Sequence, residues 1–209
     1  MKITFEKKYS GNSHLLIIFA NSTKIISSKY LDNEEITLIN NFLKMNDSKS
    51  ELLDTLHFNS GKSLKSISVA KLMAGKEKPK HWELEAFGGR VLSFLEKKKK
   101  KEISLLLQTT DFDEQSICAI LNGIKLKSYS FEKYKTLSKN NDKMKNLKVI
   151  DQNNSIGNFE KEKIITDKKV KGIFLTRDLV SEPANVLYPS KYVDICNVLK
   201  KSGVKIEVL

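Results

Sequence analysis

The sequence predicts an α/β fold in which a mixed sheet is flanked by helices. Short apolar runs of strand length alternate along the chain with segments whose apolar residues recur at helical spacing, a pattern typical of layered α/β domains. The composition suits a packed core, because 40% of the 209 residues are hydrophobic and only 3 are prolines. A chain of this length is expected to hold one domain of the usual size, about 100–150 residues, and part of another.

The first part of the chain is predicted to form two strands and a helix. Residues 2–6 alternate polar and apolar side chains, as a half-buried strand does. Residues 14–20 form an apolar run short enough for a buried central strand. Residues 32–35 resemble a helix start, and the apolar residues behind them recur at helical spacing: Leu38, Ile39, Phe42 and Leu43.

The middle of the chain is predicted to contain three strands and two helices. The strands are residues 63–72, 103–107 and 147–150. A helix opened by Pro79 contains Gly88 and Gly89, which indicate close packing, and has one apolar face: Leu84, Phe87, Val91 and Leu95. The other helix is capped by Asp111 or Asp113, and its apolar face is Ile117, Ile120, Leu121 and Ile124.

The last part of the chain is predicted to be a linker followed by the start of a second α/β unit. Residues 151–157 are linker-like, and a long helix follows from residue 159 to about residue 179. A final helix ends at Gly203 and has one apolar face: Tyr192, Ile195, Cys196 and Leu199. Residues 204–208 alternate as a closing strand. We therefore divide the chain into a domain (1–150), a connection (151–188) and a truncated unit (189–209).

The charge of the chain leaves two interpretations of its surface open. The formal net charge is +12, which suggests an anionic partner such as nucleic acid. However, Arg90 and Arg177 are the only arginines, and arginine is preferred for bidentate contacts to phosphate and guanine. We interpret the basic run as a solvated connection between a helix and a strand, in preference to a binding patch: Lys97, Lys98, Lys99, Lys100 and Lys101.

No catalytic arrangement is visible in the sequence. His14, His57 and His81 are scattered, without the spacing of metal ligands. Neither a nucleophile elbow nor a phosphate-binding loop is present. Cys118 and Cys196 are isolated, as buried thiols of a reducing compartment are, and no segment reaches the roughly 18 apolar residues of a membrane span. We expect a cytoplasmic protein with no cofactor of its own and no membrane contact.

Two segments resemble a known family. Residues 176–189 read TRDLVSEPANVLYP and are similar to the R-D-L-x-N-E-P-A-N-x-x-x-P stretch of the leucyl (cytosol) aminopeptidases, in which this stretch joins the amino-terminal domain to the catalytic domain. Its matching residues are Arg177, Asp178, Glu182, Pro183, Asn185 and Pro189. Residues 123–136 are similar to the family's G-x-x-L-x-x-Y-x-F-x-x-Y-K-T segment through Gly123, Tyr129, Phe131, Tyr134 and Lys135. Ser181 and Tyr188 depart from the family's Asn and Thr, and Tyr188 lacks the short hydroxyl of a helix cap.

The resemblance implies a non-catalytic portion of a metallopeptidase. Family members release amino-terminal residues from peptides with two zinc or manganese ions, form hexamers, and have a macro-domain-like amino-terminal domain. The family's metal-binding and catalytic motifs do not occur in this sequence. We therefore assign no catalytic or metal-binding residue and expect an inactive chain with a structural or assembly role, within a homo-oligomer or with a catalytic half. A subunit of a split aminopeptidase and a basic DNA-binding module are the alternatives.

Overall fold

A computed structural model describes residues 1–11, 13–19, 29–44, 53–59, 66–72, 78–99, 101–107, 112–136, 143–151 and 159–208. The described strands are β1 (Lys2–Glu6), β2 (His14–Phe19), β3 (Leu53–Asn59), β4 (Ser66–Leu72), β5 (Glu102–Leu106) and β6 (Asn146–Ile150). The described helices are α1 (Asn33–Lys44), α2 (His81–Lys97), α3 (Glu114–Lys127), α4 (Phe159–Ser181) and α5 (Pro189–Cys196). A 3-10 helix, Asn197–Ser202, follows α5.

The strands form one mixed sheet, which confirms the predicted fold class. Their order is β1-β6-β5-β2-β4-β3, and neighbours are parallel except for β3, which runs antiparallel to β4 at one edge. The strand β2 pairs with β4 and β5, and all six of its residues are buried. The continuous apolar run that begins at His14 therefore marks the centre of the sheet, as predicted.

Helices cover both sides of the sheet, and each side has its own core. On one side, α2 and α3 bury the predicted faces against Leu16, Ile18 and neighbouring strand residues. On the other side, α1 buries Ile39 and Leu43 against Leu15 and Ile17. Leu38, which we had assigned to the same face, is 51% exposed, because it lies beside the buried stripe of the helix.

Two glycines allow α2 and α3 to pack backbone against backbone. A Cβ on Gly88 would overlap the carbonyl oxygen of Ile120, and a Cβ on Gly123 would overlap that of Glu85. Gly88 fulfils the close packing predicted from the sequence, whereas Gly89 has room for a Cβ in ordinary contact. The close approach fixes the end of α3, and with it the segment that follows.

Side-chain caps determine where two of the helices begin. At α1, the Asp32 carboxylate accepts from the Glu35 backbone N–H at 2.9 Å, and the Glu35 carboxylate accepts from the Asp32 N–H at 2.9 Å. At α3, the Asp113 carboxylate accepts from the Ser116 N–H at 2.8 Å, so the predicted cap is present. Asp111, the other predicted cap, lies outside the described residues, as do residues 152–158 of the predicted linker.

The structure corrects three expectations. Residues 53–59 form the edge strand β3, which we did not predict. Residues 204–208 were predicted to form a closing strand, because polar and apolar residues alternate there. They pair with no strand among the described residues. The face predicted for the final helix is not part of the core, since α5 has no buried residue and Cys196 is half-buried. Cys118 is also half-buried, and burial raises the pKa of its thiol to about 11.

Candidate functional site

The two segments that carry the family resemblance meet in space. Residues 128–136 leave the end of α3 and lie against the last turns of α4. Three residues on each side make the polar contacts, and we call this set the motif contact: Tyr129, Lys133 and Tyr134 on one segment, with Arg177, Asp178 and Glu182 on the other. The partners in each of these contacts are 48 or 49 residues apart in the chain.

The first half of the motif contact is built around Tyr129. Its hydroxyl donates to Asp178 Oδ1 at 2.9 Å, and its ring lies 5.1 Å from the Phe174 ring. The guanidinium of Arg177 stands over the same ring at 5.4 Å and donates from Nη1 to the Leu126 carbonyl at 2.8 Å. Arg177 thereby satisfies a carbonyl in the last turn of α3, where a cation also suits the helix dipole.

The second half of the motif contact is built around Glu182. Its carboxylate accepts from Lys133 Nζ at 2.7 Å and from the Tyr134 hydroxyl. The Glu182 side chain is only 10% exposed, whereas Lys133 is 56% exposed. The Lys133 ammonium also lies 5.3 Å from the Tyr134 ring, so cation, ring and carboxylate form one compact group.

The groups of the motif contact perturb one another's proton affinities. The hydrogen bond from Lys133 lowers the pKa of Glu182, and the Tyr134 hydroxyl lowers it further. In return, Glu182 raises the pKa of both Lys133 and Tyr134. Burial raises the pKa of Tyr129, and its bond to Asp178 adds to this. The Glu182–Lys133 pair is therefore fully charged between about pH 4.3 and 10.4, the ordinary pKa values of Glu and Lys.

Helical spacing explains why one side of α4 supplies these partners. Val170, Phe174, Arg177 and Asp178 recur at three- and four-residue intervals, which places them on one face. Further along the same helix, Lys125 of α3 pairs with Asp167, and Lys163 stands 4.9 Å from the Phe5 ring of β1. Contacts along its length thus fasten α4 to the domain.

The remaining predicted motif residues have structural positions. Gly123 lies at the α2–α3 crossing, and the Phe131 ring lies 5.8 Å from that of Tyr134. Lys135 is exposed, and its backbone N–H closes a turn on Glu132 at 3.2 Å.

The other three predicted motif residues, Pro183, Asn185 and Pro189, lie in the turn that leads into α5. The Pro183 carbonyl accepts from the Val186 N–H at 2.9 Å, Asn185 is exposed within this turn, and Pro189 occupies the first turn of α5. Tyr188 precedes α5 without a side-chain cap, as predicted.

Beyond the motif contact, the chain presents apolar side chains to solvent. Val180 is 82% exposed on α4, and Tyr188 and Tyr192 are about half-exposed around α5. Val198, in the 3-10 helix, is 59% exposed. We call these four residues the α4–α5 surface. Exposed apolar side chains concentrated in one part of a chain are typical of a surface that contacts another.

Next to the motif contact lies an open cleft of about 500 Å³ lined by Trp82, Leu126, Lys127, Tyr129 and Arg177. Trp82, the single tryptophan of the chain, is 60% exposed there. Sequence reasoning identified Tyr129 and Arg177 as motif residues but gave no signal for their contact or for the cleft. Lys133 was missed as a partner because the family pattern leaves its position unspecified.

The lysine run lies where the sequence placed it. α2 ends at Lys97, and Lys97, Lys98, Lys99 and Lys101 are exposed, while Lys100 lies outside the described residues. The Lys98 ammonium lies 5.9 Å from the Phe94 ring.

In the described part of the chain, no three side chains of the types His, Cys, Asp and Glu come together as metal ligands. None of the described helices has both the length and the apolar character needed to cross a bilayer.

Comparisons with known proteins identify similar sequences and a similar fold. Residues 15–138, more than half of the chain, match the model of the cytosol aminopeptidase family, N-terminal domain. A probable cytosol aminopeptidase of Rickettsia bellii is 26% identical over 223 residues, which cover 100% of this chain and 43% of that protein. Another, from Wolbachia pipientis wMel, is 32% identical over 149 residues, covering 69% of this chain and 28% of its own length.

A solved structure has the same fold. A mutant tomato leucine aminopeptidase superposes with a TM-score of 0.68 over 97% of this chain and 42% of its own, at 15% sequence identity. The chain thus spans less than half the length of these relatives.

Proposed function

We infer the function of this chain from the family to which it belongs, the cytosol aminopeptidase family, whose amino-terminal domain it contains. We propose that it is a non-catalytic, structural part of a metal-dependent aminopeptidase, acting in the cytoplasm as the names of its relatives suggest. Its task is to hold α4 and α5 in a fixed position and to present them to the catalytic part of such an enzyme.

One observation carries this proposal: the motif contact fastens the end of α4 to the domain, while the side chains just beyond it face solvent. Tyr129, Arg177 and Glu182 join the two segments through hydrogen bonds and ring contacts. Val180 and Tyr192, on the adjoining α4–α5 surface, are 82% and 49% exposed. Val180 stands on a helix that the motif contact fastens, and a fixed apolar side chain is suited to docking, because little conformational entropy is lost when a partner binds it.

The family is metal-dependent, but no group of three metal-binding side chains lies among the described residues. We therefore derive no catalytic step through a metal for this chain. The purified chain is expected to release no leucine from a chromogenic leucyl amide with added manganese, and metal-dependent turnover by the chain alone would overturn the structural role.

The docking step is tested by association. The chain is mixed with the separately expressed portion of the Rickettsia bellii relative that lies outside the matched region, and complex mass is measured by size-exclusion chromatography with light scattering. We expect a complex that Val180→Glu and Tyr192→Glu weaken at least tenfold, because each would bury an unpaired charge. Leu38→Glu is the matched control, since Leu38 is a half-exposed apolar residue on α1.

The same experiment separates the proposal from its nearest alternative. A complex without gain of activity supports a structural part, whereas leucine release that appears only on mixing would make the chain a subunit of a two-chain aminopeptidase. Absence of any complex, or an equal loss with Leu38→Glu, would contradict docking through the α4–α5 surface.

A further inference from the structure

The open cleft beside the motif contact combines an aromatic ring, two cations and a carboxylate on fixed walls. We call it the tryptophan cleft, and its aromatic and charged lining side chains are Trp82, Glu85, Lys127, Tyr129 and Arg177. Trp82 and Glu85 lie in the first turns of α2, and Lys127 is the last residue of α3. Because a Cβ on Gly123 would overlap the Glu85 carbonyl, the backbones of α2 and α3 hold the two walls in place.

Trp82 supplies the apolar part of the tryptophan cleft. It lies outside the face of α2 that packs in the core, and its side chain is 60% exposed. A rigid aromatic side chain on a concave surface is typical of the residues that carry most of the affinity of a protein interface. The Tyr129 ring already contacts Phe174 and the Arg177 guanidinium, so Trp82 is the ring on which a ligand can pack.

The two cations of the tryptophan cleft have no carboxylate partner in the described part of the chain. Arg177 donates from Nη1 to the Leu126 carbonyl at 2.8 Å, which leaves its other guanidinium nitrogens for a ligand. The neighbouring Asp178 carboxylate accepts from the Tyr129 hydroxyl instead. Lys127 is exposed, and its ammonium bonds to none of the described residues. A guanidinium and an ammonium on one cleft are suited to carboxylates, which accept paired bonds from arginine.

Glu85 gives the same cleft a hydrogen-bond acceptor. Its Oε1 accepts from the Asn122 side-chain amide and lies 3.6 Å from His81 Nδ1, whereas Oε2 has no partner among the described residues. This carboxylate disfavours a phosphodiester backbone, which is anionic at every unit and has no donor to offer. A polypeptide presents both kinds of group, namely carboxylates for Arg177 and Lys127 and backbone N–H donors for Glu85.

We propose that the tryptophan cleft binds an acidic segment of a partner polypeptide that carries one apolar or aromatic anchor side chain. The anchor packs on Trp82, carboxylates of the segment pair with Arg177 and Lys127, and its backbone donates to Glu85. The net charge of the chain, +12, favours the approach of such a partner. The cleft shares no residue with the α4–α5 surface, so this binding goes beyond the structural role proposed above.

The test uses the fluorescence of Trp82, which reports on the cleft directly because it is the single tryptophan of the chain. The probe is a short blocked peptide in which one phenylalanine is flanked by glutamates, without tryptophan or tyrosine. We expect the Trp82 emission to shift to shorter wavelength as the peptide saturates the full chain, because the indole is then shielded from water. Two control peptides, with lysine for glutamate or alanine for phenylalanine, should bind at least about tenfold more weakly.

Variants of the chain place the peptide in the cleft. Lys127→Glu should weaken binding about tenfold, because it replaces an attraction with a repulsion at the site. Lys44→Glu is the matched control and should change the affinity less than about twofold, since Lys44 is also exposed at the end of a helix but lies on α1, across the sheet. Trp82→Ser removes the ring and should weaken binding, followed by calorimetry, at least about tenfold.

Other outcomes would overturn the proposal. No shift with the acidic peptide, or equal binding of either control peptide, would remove the paired demand for carboxylates and an anchor. Equal weakening by Lys44→Glu and Lys127→Glu would place the peptide outside the cleft. Tighter binding of oligothymidylate, with an affinity that falls steeply with salt, would make the partner a nucleic acid. An emission shift on dilution without peptide would assign the cleft to a second copy of the chain. The peptide series on the unmodified chain decides the question if a variant does not fold.

Discussion

Gly88 and Gly123 determine how closely α2 and α3 approach each other. Replacing either with alanine would place a Cβ against a backbone carbonyl of the facing helix, which cannot yield as a side-chain tip does. We expect Gly88→Ala and Gly123→Ala each to lower the free energy of unfolding by about 1–3 kcal/mol, the usual effect of overpacking. Urea unfolding followed by circular dichroism measures the change.

Matched controls for this prediction exist in the same chain. A Cβ on Gly172, in α4, meets no atom within 4 Å, and Gly89→Ala introduces only ordinary contacts. Gly172→Ala should stabilise the chain by up to about 1 kcal/mol, because alanine is the better helix former. If Gly88→Ala were as stable as Gly172→Ala, the close α2–α3 crossing would be wrong.

Glu182 is the residue through which the motif contact responds to pH. Its lowered pKa means that its contribution is fully present above the ordinary Glu value of about 4.3 and is lost as pH falls through the lower folded value. Lys133 has a raised pKa, so its contribution is lost only at alkaline pH. We expect the amides of Glu182 and Val186 to exchange faster, relative to intrinsic rates, when the pH drops below about 4.

Glu182→Gln should abolish this acid response, because glutamine does not titrate. At neutral pH the variant should accelerate exchange at the same two amides about two- to fivefold, the effect of losing one partly exposed ion pair. Glu207→Gln is the control, since Glu207 is exposed and outside the motif contact. Equal exchange in Glu182→Gln and the unmodified chain would show that α4 is fastened without this carboxylate.

At the level of elements, α3 depends on its cap. The bonds from Lys78 and Ser116 lower the pKa of Asp113 to about 2, so the cap remains charged at mildly acidic pH and is lost only as pH approaches that value. Asp113→Ala should cost about 1 kcal/mol of unfolding free energy, within the range of about 0.5–2 for a lost cap. Thermal unfolding at pH 7 and pH 3 measures it.

Lys78→Ala separates the cap from the ion pair. The Lys78 side chain is 75% exposed, so its 2.8 Å bond to Asp113 should contribute less than about 0.5 kcal/mol. Asp113→Asn retains an acceptor for the Ser116 N–H and should recover most of the stability. If Lys78→Ala and Asp113→Ala had equal effects, the ion pair and not the cap would start α3.

The elements also show what local pattern decides and what it does not. The buried run beginning at His14 and the apolar faces of α2 and α3 were predicted because burial imposes a regular spacing on the sequence. Leu56 and Phe58 alternate with Thr55 and His57, yet β3 was missed, while the similar alternation from Val204 to Val208 forms no strand. A strand forms only where it can pair with a neighbouring strand. Among the described residues, β3 has such a neighbour in β4 and residues 204–208 have none, so alternation alone cannot distinguish these two segments.

Most members of the candidate site could be predicted from the sequence, Lys133 excepted, but its geometry could not. The family pattern selected Tyr129, Arg177 and Glu182 from the sequence. That they touch depends on where α3 ends and on the direction of α4, both of which follow from long-range packing such as the Gly123 crossing. The contact between the His14 and His57 rings, whose centroids are 5.4 Å apart, is of the same kind, because sheet register and not sequence spacing brings the rings together.

For the whole molecule, the dominant electrostatic feature is an excess of lysine. The net charge is +12 at pH 7 and vanishes near pH 9.5. Mutual repulsion destabilises a compact state, and salt screens it over a Debye length of about 10 Å at 0.1 M. We therefore expect the melting temperature at pH 7 to rise by several degrees between about 0.05 M and 0.5 M NaCl.

Measurement at pH 9.5 separates this charge effect from other actions of salt. Near the isoelectric pH the net repulsion is absent, so the same NaCl step should leave the melting temperature almost unchanged. Screening of attractive pairs such as Glu182–Lys133 would then act alone and lower stability slightly, since these pairs remain charged at that pH. Equal stabilisation by salt at pH 7 and pH 9.5 would instead indicate strengthened burial of apolar surface, and the excess lysines would then contribute little to the stability of the fold.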